Sequence, residues 1–254
     1  MDTAQAKWPV FKTKLISRTE IAEGTMSFRF ERPPAWTFKA GQFVDITLLN
    51  PPVTDAEGNV RGFSIASAPH EDTIMVATRM RNTACKQVLA TMPIKTEVQI
   101  EGPFGDLSLH NKVIKPAVLL AGGIGVTPFH SIVLRAAHDR LEHRIVLFHS
   151  NNTPEDAPFL EELRELEKRN PFYKYVPTMT AMERSKQPWS GETGPFSAQM
   201  LAKHLKAATP SDAAIADAIY YIAGPPGMVA AMRKTLVDWR VDEDNIRTEE
   251  FAGY

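Results

Sequence analysis

The chain has 254 residues, enough for about two domains of ordinary size, and its 43% hydrophobic and 23% charged residues exclude a disordered or collagen-like polymer. The 29 Lys and Arg against 30 Asp and Glu provide no chain-wide attraction for nucleic acid or for an anionic membrane. A single cysteine, Cys85, excludes an internal disulfide and any iron–sulfur cluster held by four cysteines of this chain, so a reducing compartment is expected.

The first ten residues lack the apolar core and small-residue cleavage site of a signal peptide. The longest mostly apolar run, residues 116–129, is too short for a membrane span and is broken by glycines. A cytoplasmic, monomeric protein without membrane or nucleic-acid partners is expected. From residue 11 to about 109 the predicted elements are short. Met26, Phe28 and Phe30 alternate with Ser27, Arg29 and Glu31, the mark of a half-buried strand. Residues 42–49, 73–79 and 97–101 have the same character, with Pro33-Pro34, Pro51-Pro52 and Glu57-Gly58-Asn59 as breakers between them. Short strands separated by turns predict an antiparallel barrel or sandwich.

After residue 112 the rhythm changes. Apolar runs at 117–120, 145–149, 172–180, 219–223 and 246–251 alternate with helical patterns, including 158–169, 197–205 and 227–239. This predicts a parallel five-stranded sheet covered on both faces. The expected division is therefore a β-barrel domain over residues 1–112 and an α/β domain over residues 113–254, joined by the polar stretch around Lys112, Lys115 and Pro116.

Two glycine turns stand at predicted strand ends. Gly122-Gly123-Ile124-Gly125-Val126-Thr127-Pro128 joins the first strand of the second half to a helix, and Pro128 suits the first helical turn. Gly224-Pro225-Pro226-Gly227-Met228 does the same after the fourth strand. Glycine lets backbone N–H groups approach a phosphate at a helix N-terminus, and ligands of open parallel sheets bind at the carboxyl ends of the strands. The pattern is not G-x-G-x-x-G, and a tight packing turn explains either loop singly; the pair at two strand ends favours one shared ligand.

With Arg61-Gly62-Phe63-Ser64 and Gly102-Pro103-Phe104-Gly105, the order R-x-[YF]-S, G-P-x-G, G-G-x-G-x-T-P, G-P-x-x-M resembles the ferredoxin–NADP reductase family of flavoproteins, from about residue 11 to the C-terminus. The resemblance implies an FAD-binding barrel followed by an NAD(P)-binding domain, with hydride passing from NADH or NADPH to flavin N5. It implies that Arg61 pairs with the FAD pyrophosphate and that Phe63, where most relatives carry Tyr, lies against the flavin. It further implies that Ser64 bonds near N5. Thr83, Ala84 and Cys85, following Thr78, resemble the helix start that holds the pyrophosphate. Gly122, Gly123, Gly125 and Thr127 would face the dinucleotide phosphates and the flavin edge, and Gly224, Pro225, Gly227 and Met228 would flank the nicotinamide. Ala223 stands where many relatives have a cysteine.

The ending Glu249-Glu250-Phe251-Ala252-Gly253-Tyr254 resembles the family terminus that covers the second flavin face. Phe251 or Tyr254 would take that place, and Glu249 that of an acid near the nicotinamide. Ser150, after the second strand of the α/β half, would lie on the adenosine side. Thr178-Met179-Thr180 stands where NADPH-preferring relatives show Ser-Arg, which leans to NADH, with Arg184 and Lys186 a few residues on. No metal site is expected, because the seven histidines show no paired ligand spacing. The implied acceptor is a separate ferredoxin, flavodoxin or oxygenase component. Arg79, Arg81, Lys86 and Lys95 are candidates for docking it. Reduction of free flavin, ferric chelates or quinones is the competing activity, and a non-catalytic, nucleotide-sensing subunit is the competing class.

Overall fold

The computed structural model describes residues 8–208 and 216–251. The first half holds six strands, β1 (Val10–Ala22), β2 (Thr25–Glu31), β3 (Phe43–Leu48), β4 (Val60–Ser64), β5 (Thr73–Arg79) and β6 (Glu97–Phe104), with helix α1 (Ala84–Thr91) before the last. They are hydrogen-bonded antiparallel in the order β4-β3-β6-β1-β2-β5. β1 is longer than the short segments expected because it serves two partners. Its first part pairs with β6 and its second with β2, with a register shift between Leu15 and Ser17. Just beyond β4, Ile65 bridges Val76 and Ala66 N–H donates to Met75 O at 2.7 Å, so the edge strands meet and the barrel closes.

The alternation read in residues 26–31 holds from Phe28 onward, whereas Ser27 is buried and Met26 only half-buried. Phe28 and Phe30 are fully buried against Val44, Ile46, Ile74 and Ile100, while Glu31 is exposed. Helix α1 presses Cys85, Val88 and Leu89 onto the same core. Burial pushes the Cys85 thiol above its ordinary range, so this cysteine behaves as a small apolar group.

The second half contains strands β7 (Ala117–Gly122), β8 (Ile145–Asn151), β9 (Tyr173–Met179), β10 (Glu192–Thr193), β11 (Ile219–Gly224) and β12 (Ile246–Glu250). Its fully described α-helices are α2 (Thr127–His138), α3 (Leu160–Arg169), α4 (Ala198–Ala208) and α5 (Pro226–Asp238). All strands are parallel, in the order β10-β9-β8-β7-β11-β12. The sheet therefore has the five expected strands and a sixth. β10 went unpredicted because two residues carry no readable alternation. The continuous apolar runs follow from double coverage. Leu119, Leu147 and Tyr221 face the α2–α3 side, whereas Val118, Leu120, Phe148 and Tyr220 face the side that carries Leu201, Leu205 and Leu236. No described helix is long and apolar enough to cross a membrane.

The halves share a core. Ala40, Ala66, Met75, Ala77 and Leu107 of the barrel pack in one cluster with Phe129, Ile132 and Val133 of α2. Ser131 Oγ donates to Ser67 O at 2.6 Å, and His130 Nδ1 lies 2.8 Å from Ala66 O. The connecting segment, polar in sequence, is pinned rather than loose. His110 is buried, its N–H donates to Tyr221 Oη at 2.9 Å, and its Nε2 reaches Lys112 O and Lys115 O at 3.0 Å. His143 Nε2 in turn meets His110 O at 2.8 Å.

Candidate functional site

Two clefts lie at the carboxyl ends of β7, β8 and β11. The first, of about 480 Å³, is lined by Arg61, Gly62, Phe63, Ser64, Thr78, Thr83, Thr127 and Phe251, with Glu57, Ala77, Arg79, Arg81, Lys86 and Ile124. The second, of about 360 Å³, is lined by Gly122, Gly123, Ser150, Pro225 and Met228, with Arg79, Asn151, Asn152, Thr180, Phe196 and Met232 among the rest. A larger cavity of about 520 Å³, around Arg144, Asn170 and Phe172, sits at the opposite ends of the strands, away from every motif.

In the first cleft β4 sets the spacing. Ser64 and Phe63 are buried at its end, and Ser64 Oγ has no hydrogen-bond partner. Thr83 Oγ1, at the start of α1, is likewise buried without a partner, and it does not cap its helix. Two unpartnered hydroxyls, two aromatic rings (Phe63 and Phe251) and the cations Arg61, Arg79, Arg81 and Lys86 suit a flat, anionic, hydrogen-bonding ligand, and FAD fits that description. Arg61 is held by its own loop. Nη1 donates to Glu57 O, Gly58 O and Val60 O at 2.8, 3.2 and 2.7 Å, and Nη2 lies 2.7 Å from Glu57 Oε2 and 3.3 Å from Asp55 Oδ1.

Ala84, Cys85 and Pro128 line neither cleft: Cys85 faces the barrel core, and Pro128 is buried in the first turn of α2. The glycine turns fit into each other more than was expected. A side chain on Gly125 would stand 2.3 Å from Ala223 O, and one on Gly122 would stand 2.7 Å from Met228 Sδ. Gly224 has φ +153°, and a side chain there would come within 2.9 Å of Met228 Cε. Gly125 and Gly224 are buried and absent from both linings, whereas Gly227 is exposed with open space around its Cα. Gly122 and Gly123 do line the second cleft.

His149, which carried no functional reading in sequence, braces this turn. Its Nε2–H donates to Gly123 O at 2.9 Å, which leaves Nδ1 to accept from Tyr175 Oη at 2.9 Å. Burial lowers its pKa to about 4, so the ring is neutral and holds that tautomer. Arg79 belongs to both clefts. Its Nη1 donates to Glu23 O and its Nη2 to Asp156 O, each at 3.1 Å, so it ties barrel to α/β domain rather than standing on an exposed docking edge. Lys86 Nζ donates to Arg79 O at 2.7 Å, and Lys95 lines neither cleft.

At the C-terminal end, Phe251 N–H donates to Gly224 O at 3.0 Å, which carries its ring into the first cleft. Tyr254 lies outside the described residues. Glu249 pairs in register with Ala223 on β11 and lines neither cleft. Burial, and then the nearby Asp106 charge, push its carboxyl up to about 7. Among the described residues Arg79 is the one Lys or Arg that lines the second cleft; Arg184 and Lys186 are not on it. Ser185 Oγ and Lys186 N–H instead donate to Glu155, at 3.0 and 2.8 Å.

Comparison with known proteins gives the same two halves. Residues 10–127 match the family model described as FAD-binding domain, and residues 119–234 match the one described as oxidoreductase NAD-binding domain. The phenol hydroxylase P5 protein of Acinetobacter pittii is 26% identical over 249 residues, covering 96% of this chain and 66% of that protein. The structure of a ferredoxin NADP+ reductase from Neisseria gonorrhoeae with bound FAD and NADP superposes with a TM-score of 0.75 at 24% identity, over 97% of this chain and 99% of the other. The Amycolatopsis cytochrome P450 reductase GcoB superposes with a TM-score of 0.78 at 22% identity, over 97% and 72%. The chain spans 66%, 48% and 60% of the lengths of three curated relatives that it matches.

Proposed function

We infer from the FAD-binding and oxidoreductase NAD-binding family models, which together span residues 10–234, that the chain is a member of the ferredoxin–NADP reductase family, and on that premise we propose that it takes a hydride from NADH or NADPH and passes electrons to a separate acceptor. The observation that carries the proposal is the meeting of Phe251, Thr127 and Ile124 of the α/β half with Phe63, Ser64 and Thr78 of the barrel around one cleft. The second cleft adjoins it through Arg79. When bound, FAD supplies the redox chemistry, accepting two electrons as hydride and releasing them to the acceptor.

The residues supply position. Ser64 and Thr83 offer hydroxyls, Phe63 offers an apolar face, and the basic rim compensates phosphate charge. The interlocked glycine turns, braced by His149, present Gly122 and Gly123 to the dinucleotide. Phe251 covers the cleft and has to move before the nicotinamide comes into reach, which makes it a gate. NADH is the favoured donor, supported by Arg79 being the one basic side chain among the described lining of the second cleft.

An oxygenase component, ferredoxin or flavodoxin is the proposed acceptor. The names of relatives such as the phenol 2-monooxygenase reductase component DmpP of a Pseudomonas species, matched over 60% of its length, support that direction. We place the domain division near residue 112, between the end of β6 and the start of β7. Purified protein should be yellow, and anaerobic mixing with NADH should bleach the flavin absorbance in stopped flow. A colourless protein that takes up neither FAD nor dinucleotide would sink the proposal. Bleaching by NADPH alone would reverse the nucleotide preference.

A further inference from the structure

The loop between β3 and β4 is open to solvent at residues 52–54, 56 and 57, yet its Asp55 is firmly engaged. Asp55 Oδ2 accepts the Ala84 N–H at 2.8 Å, the amide that opens α1. Asp55 Oδ1 accepts from Glu57 N–H at 3.0 Å and from Arg61 Nη2 at 3.3 Å. The Ala84 hydrogen bond is the leading reason that the Asp55 carboxyl is held below its ordinary range, so it is ionised at neutral pH.

A guanidinium and a helix-start amide are the groups that bind a phosphate or diphosphate. Here both are occupied by one carboxylate of the chain itself, and Glu57 adds a second carboxylate to the guanidinium. The neutral groups of the same cleft are in the opposite condition, since Ser64 Oγ and Thr83 Oγ1 are buried without partners. Two hydroxyls of the cleft are thus unpaired, while Arg61 on its lining and the Ala84 amide next to Thr83 are satisfied. Nothing apolar fastens the tip of the loop: Val53 is 49% exposed, and Ala56 is exposed as well. The loop is held through hydrogen bonds and ion pairs that an incoming anion can replace in kind.

We propose that Asp55 is a built-in competitor for the flavin diphosphate, a latch on Arg61 and Ala84 that must release before FAD is fully seated. The proposal rests on the flavin reading given above. It makes FAD affinity lower than the cleft alone would give, so the bound flavin exchanges with the free pool. It also distinguishes ligands, because riboflavin has no diphosphate and does not meet the latch.

The test is FAD and riboflavin titration of the flavin-free full chain by fluorescence, with thermal melts of the same flavin-free samples. Asp55→Asn should bind FAD about tenfold more tightly, equivalent to about 1.4 kcal/mol, with riboflavin unchanged, and should melt at a lower temperature without flavin. Glu57→Gln, which removes one of the two carboxylates on Arg61, should show the same pattern more weakly. Unchanged or weaker FAD binding by Asp55→Asn overturns the latch. Tighter binding with an unchanged flavin-free melting point also overturns it, since that is charge repulsion without a contact to release. An equal gain for riboflavin does so as well. If no form, wild type included, binds either flavin, the flavin reading itself has failed and the latch falls with it.

Discussion

At the scale of single residues, surroundings rather than residue type decide behaviour. Glu249 and Asp55 are both carboxylates near the motif loops, yet burial raises one to about 7 while a helix-start amide lowers the other. For Glu249 the sign follows from which state holds the proton. Between its ordinary value of 4.5 and about 7 the folded chain keeps a proton that the unfolded chain has released. Its contribution to stability is therefore fully present below about pH 4.5 and is lost as the pH rises through about 7. Glu249→Gln should match wild type in melting temperature near pH 4.5 and exceed it near pH 8. A constant difference across that range would contradict the shift. Phe251 is the other residue whose position gives a direct forecast. Phe251→Ser should leave the flavin bound and change nucleotide KM severalfold, read by steady-state kinetics with NADH and NADPH. Wild-type behaviour in that variant, together with altered nucleotide binding on deletion of Tyr254, would move the stacking role to Tyr254.

At the scale of elements, the two glycine turns form one unit. The sequence showed glycine at two strand ends and suggested approach to phosphates. The packing adds that Gly125 must lack a side chain because Ala223 O lies where its Cβ would be, at 2.3 Å. Gly125→Ala therefore forces the turn off β11. It should lower stability by about 2 kcal/mol or more even without any ligand, visible as a reduced urea midpoint with an unchanged m-value. Gly227→Ala is the matched control: its Cα faces open space at the start of α5, so it should melt like wild type. His149 and Tyr175 belong to the same unit, since they fix the Gly123 carbonyl from below. Neither was recognisable in sequence, because β8 and β9 are read as apolar runs whatever their polar atoms touch.

At the scale of the whole molecule, barrel and α/β domain are joined through a common apolar cluster, the α2 bonds to Ala66 and Ser67, and the buried His110–Tyr221 contact. An interface of this kind couples the unfolding of its sides. Thermal or urea unfolding of the flavin-free chain should give one transition, coincident by near-UV and far-UV circular dichroism. Two separated transitions would mean that the shared core contributes little. The same coupling keeps Phe251, at the end of β12, facing Phe63 and Ser64 on β4, so the cleft depends on domain packing as much as on either domain.

The sequence by itself determined the two domain types, because strand alternation and double-sided apolar runs reflect burial that is local to each element. It also determined where the Gly and Pro turns stand at the strand ends, although Gly122 and Gly125 are held to glycine by distant contacts with Met228 and Ala223. Three things came only from the tertiary structure: β10, the bracing of Gly123 by His149 and Tyr175, and the pairing of Asp55 with Arg61 and Ala84. Each joins residues distant in sequence or falls in a segment too short for periodicity. A hydrogen bond between such groups depends on where the chain brings them, and no residue spacing records that.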